Sequence, residues 1–184
     1  MNRNRPHGGT PRPSASGSRQ HWRLVDAAAT QALGRELAAR LLAARVPEGT
    51  GVPPALMLQG DLGAGKTCLV QGIAVGLGIA EPITSPTFAL AQHYSGVLPN
   101  GTPTALVHLD LYRLEQPAAA EELFAQEEEE AGELGALLAV EWPGRLSALP
   151  PQAWLLELEL ADPANPEAGR SAALHCPTGL NGPG

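Results

Sequence analysis

The chain has 184 residues, 43% of them hydrophobic and 17% charged, which fits one globular domain with a sizeable core and argues against a disordered chain. Its apolar runs are far shorter than a membrane span needs, so no membrane association is expected. Twelve basic and 19 acidic residues give a net charge of −7.

That charge is unevenly placed. Residues 1–23 hold Arg3, Arg5, Arg12, Arg19 and Arg23 and no acid, so the rest of the chain carries seven basic against 19 acidic residues. So acidic a body repels nucleic acid, and direct nucleic-acid binding by the folded part is not expected. The basic tail can make salt-sensitive phosphate contacts, but reads first as a solubilising extension. Two cysteines, Cys68 and Cys176, make no disulfide framework, and the basic N-terminus lacks the apolar core of a secretory signal. Both features suit a reducing, cytoplasmic setting.

Residues 1–20, rich in Arg, Pro, Gly and Ser, read as a disordered basic tail before a domain over 21–176. Asp26 is placed to cap a helix over 27–45, on which Leu33, Leu37, Leu41 and Leu42 recur at helical spacing. Pro47 to Pro54 breaks the chain, and Ala55 to Leu58 reads as a buried strand ending at Gly60. A helix is expected over 66–77, closed by Gly76 and Gly78. Phe88 to Tyr94 alternates like a strand, and a turn-rich stretch over 95–104 leads into a second strand over 105–111, so the two form a hairpin.

Pro117 suits the first turn of a further helix, and Glu127 to Glu130 reads as a solvated acidic face or loop. Leu137 to Val140 reads as a buried strand, Trp154 to Leu160 as a half-exposed one and Ser171 to Cys176 as the last, before a tail over 177–184. The expected class is therefore α/β, a single domain with a mixed sheet flanked by helices.

Gly60-Asp61-Leu62-Gly63-Ala64-Gly65-Lys66-Thr67 matches G-x-x-x-x-G-K-[ST], with an apolar strand before it and a helix after it. Its glycines let backbone N–H groups turn inward around phosphate oxygens, and the helix N-terminus adds a favourable dipole. Lys66 supplies charge to the outer phosphates, the Thr67 hydroxyl can hold Mg²⁺, and the backbone N–H of Cys68 can reach a phosphate. Lys66 is also the only lysine in the chain, against 11 arginines. An ammonium stands where a guanidinium is too bulky for the loop. The motif and its context predict a P-loop NTPase-like sheet.

Such a loop needs an acid at the end of a neighbouring strand. Asp110 follows Leu106-Val107-His108-Leu109, and Glu141 follows Leu137-Leu138-Ala139-Val140. Either carboxylate can hold Mg²⁺ or orient an attacking water. Thr84-Ser85-Pro86-Thr87 lies where a switch loop would sense a γ-phosphate. His108 should face the same way as Asp110, as a structural or a functional histidine. Trp142 fits either beside a nucleotide or in the core.

Taken together, GDLGAGKT (60–67), ITSPTFAL (83–90), HLDLYRL (108–114) and VEWPGRL (140–146) resemble the TsaE (formerly YjeE) family over about residues 24–176. The resemblance implies a P-loop ATPase that uses ATP and Mg²⁺. It implies TsaD and TsaB as protein partners, which transfer a threonylcarbamoyl group to adenosine 37 of tRNAs reading ANN codons. On the same grounds the phosphate loop falls on Gly63, Ala64, Gly65, Lys66, Thr67 and Cys68, the Mg²⁺ ligands on Thr67 and Glu141, and an essential aspartate on Asp110. Trp142 and Arg170 fall near the nucleotide, and Ala27 to Thr30 on the adenine side. Lys66, Asp110 and Glu141 are then the catalytic set. The competing readings are a small-molecule or nucleotide kinase, disfavoured because only Arg113, Arg145 and Arg170 follow Lys66, and an assembly module that binds ATP without needing to hydrolyse it.

Overall fold

Seven strands and three helices are built from residues 19–44 and 54–177, the part of the chain that the computed structural model describes. In chain order they are β1 (Arg19–Leu24), α1 (Ala27–Ala43), β2 (Ala55–Gln59), α2 (Lys66–Gly76), β3 (Ala91–Val97), β4 (Pro103–Asp110), α3 (Pro117–Leu134), β5 (Leu137–Glu141), β6 (Trp154–Leu160) and β7 (Arg170–His175). All seven strands join one sheet, ordered β1-β7-β6-β2-β5-β4-β3. The central strands β6, β2, β5 and β4 run parallel, while β3 and β7 pair antiparallel at the flanks.

Strand alternation sorts the core into two layers. Leu56, Leu58, Leu106, Leu137 and Ala139 face α1 and α2. Met57, Val107, Leu109, Leu138 and Val140 face the other way, with Ala120, Phe124 and Ala131 of α3. Asp26 begins α1 by accepting the Ala29 N–H on its carboxylate at 2.7 Å. The two helices on that layer cross with backbones nearly touching. A Cβ at Gly34 would lie 2.3 Å from the Leu69 carbonyl, and one at Gly72 would lie 2.2 Å from that of Gln31.

The architecture is the expected α/β class, with corrections in detail. The tail expected over 1–20 ends earlier, and residues 21–24, for which no element is expected, are a strand with Arg19 and Gln20: Arg19 pairs with His175 and Leu24 with Arg170. The strand expected over 88–94 starts only at Ala91, because the chain turns first: the Leu90 N–H donates to the Pro86 carbonyl at 2.6 Å, with Leu90 at φ 67°. Trp154 to Leu160 is more buried than its Leu/Glu alternation suggests, since β6 lies between β2 and β7. The tail over 1–18, the stretch 45–53 and residues 178–184 lie outside the described residues. No helix among the described residues is long and apolar enough to cross a membrane.

Candidate nucleotide site

The ends of β2, β4 and β5 meet the start of α2 on the α1–α2 side of the sheet. Beyond β2 the chain passes through Gly63 at φ 82° and Gly65 at φ 101°, backbone that other residues rarely adopt, and α2 begins at Lys66. The opening N–H groups of α2 thus face the region beyond the strand ends.

Lys66 is buried and its ammonium closes the loop on itself. Nζ donates to the carbonyls of Gly60 at 2.8 Å and Asp61 at 2.9 Å, and it lies 4.1 Å from the centroid of the Trp142 ring. Burial lowers the Lys66 pKa, an effect opposed by the charges of Glu141, Asp110 and Asp61. Trp142 holds its place by an unusual backbone, at φ 61°, and its ring packs against that of Tyr112 at 4.8 Å. Arg145 ties this corner to the stretch that follows β4 by donating to the Tyr112 carbonyl at 2.8 Å.

Thr67, the next residue, donates its hydroxyl to Glu141 Oε1 at 2.9 Å. The same oxygen stands 2.9 Å from His108 Nε2. Asp110 accepts the Thr87 hydroxyl at 2.6 Å and the Ser85 hydroxyl at 3.3 Å on one oxygen, and the Tyr112 N–H at 2.9 Å on the other. The carboxylate of Asp110 therefore tethers the 84–87 loop. Asp110 and Glu141 are each almost fully buried, and their lone pairs are met by hydroxyl, imidazole and amide groups.

Arg170 reaches the loop from β7. One terminal nitrogen donates to the Ala64 carbonyl at 3.2 Å, and a Cβ on Gly65 would lie 2.1 Å from it. Its Nε is buried without an acceptor. The Cys68 side chain points away from the loop, with Sγ 3.5 Å from the Ala27 carbonyl at the start of α1. Burial raises its thiol pKa, against a smaller lowering by Arg170. Both Cys68 and Cys176 are free thiols.

The structure brings together the loop Gly63 to Cys68, Asp110, Glu141, Trp142 and Arg170, and the Cys68–Ala27 contact sets the start of α1 beside the loop. Sequence reasoning left His108 open, and the structure puts its imidazole on Glu141. It missed the buried carboxylate of Glu127, which His93 contacts at 2.6 Å on the α3 side of the sheet; His93 also stands 3.1 Å from Glu130. Glu127 falls at helical spacing on the buried stripe of Ala120, Phe124 and Ala131, and that spacing is the available signal. The site's donors suit a hard divalent cation beside a phosphate chain, because a hydroxyl and a carboxylate already converge within 2.9 Å at the mouth of an anion-binding loop.

A family model described as "Threonylcarbamoyl adenosine biosynthesis protein TsaE" matches residues 24–170. A Synechocystis protein named tRNA threonylcarbamoyladenosine biosynthesis protein TsaE is 46% identical over 132 residues, covering 70% of this chain and 73% of its own. A Bacillus subtilis protein of the same name is 43% identical over 95 residues, 51% of each chain. The crystal structure of Bacillus subtilis YdiB superposes with a TM-score of 0.60 at 26% identity, covering 89% of this chain and 88% of that one.

Proposed function

Because this chain belongs to the TsaE family, whose members are named for threonylcarbamoyladenosine biosynthesis on tRNA, we propose that it is a Mg²⁺-dependent ATPase that supports a TsaB–TsaD pair. In this reading the pair modifies adenosine 37 of tRNAs that read ANN codons, and the chain supplies ATP turnover in the cytoplasm. The contact that carries the proposal is Thr67 Oγ1 to Glu141 Oε1, 2.9 Å. It joins the phosphate loop to the neighbouring strand end, as metal-assisted phosphoryl transfer requires.

Each residue then has a role. The N–H groups of Gly63 to Cys68 cradle the phosphates, and Lys66 exchanges its two carbonyl acceptors for phosphate oxygens. Thr67 and Glu141 would hold Mg²⁺, which supplies charge neutralisation to the phosphate chain. Asp110 holds Ser85 and Thr87; in this reading it links the 84–87 loop to the state of the γ-phosphate and orients the attacking water. Trp142 shields the Lys66 ammonium from solvent on one side. Arg170 pins the loop at Ala64 and has an unused buried donor beside it. The acidic body favours protein partners over direct tRNA contact.

The direct test is phosphate release by the purified protein with ATP and Mg²⁺. Lys66→Ala should abolish turnover while the variant still unfolds cooperatively. Wild-type rates in that variant would remove the site from the account.

A further inference from the structure

His108 has no part in the roles given above, yet it is fully buried and its Nε2 stands 2.9 Å from Glu141 Oε1. It lies on β4, two residues before Asp110, and level with Ala139 of β5. Ala139 carries only a methyl group, and the imidazole reaches Glu141, two residues further along β5. Its other ring nitrogen, Nδ1, is buried with no hydrogen-bond partner.

Resting on the ATPase reading above, we infer that His108 is a positioning residue: its Nε2–H fixes the Glu141 carboxylate in the orientation from which it serves the metal and phosphates. Two observations assign the proton to Nε2. A carboxylate oxygen has no proton to give, so Nε2 must donate to make the contact. A buried Nδ1–H with no acceptor would cost more than a buried lone pair there. The Thr67 hydroxyl is a shared group, since it donates to Glu141 here and its oxygen is also a candidate ligand. His108 has no second duty. It is the donor that stays on Glu141 when Thr67 turns to other work, and such supporting donors orient a ligating carboxylate.

The test uses the full chain with ADP and Mn²⁺ as the probe, following bound Mn²⁺ by electron paramagnetic resonance. His108→Leu should weaken nucleotide-dependent Mn²⁺ binding by about tenfold to a hundredfold, while ADP affinity in a chelator stays within about twofold of wild type. His108→Gln, which restores an N–H donor, should recover most of the Mn²⁺ affinity. Wild-type Mn²⁺ affinity in a folded His108→Leu variant overturns the inference. Nitrogen-15 spectra of histidine-labelled wild-type protein need no variant: the Nε2–H tautomer is expected for His108, and the Nδ1–H tautomer overturns it. Absence of nucleotide-dependent Mn²⁺ binding in the wild type would instead sink the ATPase reading itself.

Discussion

Asp110 and Glu141 stand level with each other at the ends of adjacent parallel strands, and no donor is shared between them. Asp110 takes the hydroxyls of Ser85 and Thr87 and the Tyr112 N–H. Glu141 takes Thr67 and His108. Two carboxylates so close are thus given different work: one holds a loop, the other faces the phosphate-binding helix.

Asp110→Asn separates these duties. It keeps the volume and the acceptor for the Tyr112 N–H, but it removes the negative charge and puts an NH2 where the Ser85 and Thr87 hydroxyls now donate, so those contacts must reverse direction. ATP turnover should fall by about a hundredfold or more, with ADP affinity changed little. Protease cleavage within 84–90 should become faster. Unchanged turnover in this variant would remove Asp110 from the chemistry.

Gly65→Ala tests the loop. A side chain there meets φ 101° and a clash with Arg170 at 2.1 Å. The backbone strain alone is about 1–2 kcal/mol, so ADP affinity should drop roughly tenfold or more. Adding Arg170→Ala removes the clash but not the strain, and should restore only part of the loss. Calorimetric titration of the wild type, the single variant and the double variant reads this out.

The α3 side of the sheet carries its own test. His93 is the hydrogen-bond partner of the buried Glu127 carboxylate. His93→Ala leaves that acid without this partner and should cost about 1–3 kcal/mol, a fall in Tm of several degrees. Glu127→Gln in the same background should recover much of it. Two independent, additive losses would show that the pair does not couple.

Partial burial pushes the Glu128 carboxyl above its ordinary value of 4.5. A raised folded-state pKa means that the ionised form opposes folding once pH exceeds the raised value. The penalty is absent well below 4.5, where both states are protonated. Glu128→Gln should therefore raise Tm at pH 7, with the gain shrinking to nothing in acid. A gain independent of pH would rule out this cause.

Much of the site was legible because its chemistry is written in contiguous stretches. The loop from Gly60 to Thr67 carries its own turn residues, and Asp110 and Glu141 each end an apolar run. What escaped notice depends on contacts across the fold. Arg19–Leu24 becomes a strand only because β7 offers it an edge, and its own pattern of exposed polar residues gives little sign of it. Phe88 looks like a strand residue but sits exposed on a turn, with the Arg113 guanidinium 4.2 Å from its ring. Glu127 belongs to a run of four acids and differs from the other three in being buried, with its carboxylate against His93. Whether His108 was structural or functional could not be read from alternation, which places it on the right face but not against Glu141.

The central claim is tested most directly by measuring ATP hydrolysis by the pure protein, alone and with TsaB plus TsaD from the same source. The account predicts slow turnover alone, a rise when the pair is added, and none in Lys66→Ala under either condition. Turnover indifferent to the pair would contradict the partnership, and no turnover in either condition would contradict the ATPase.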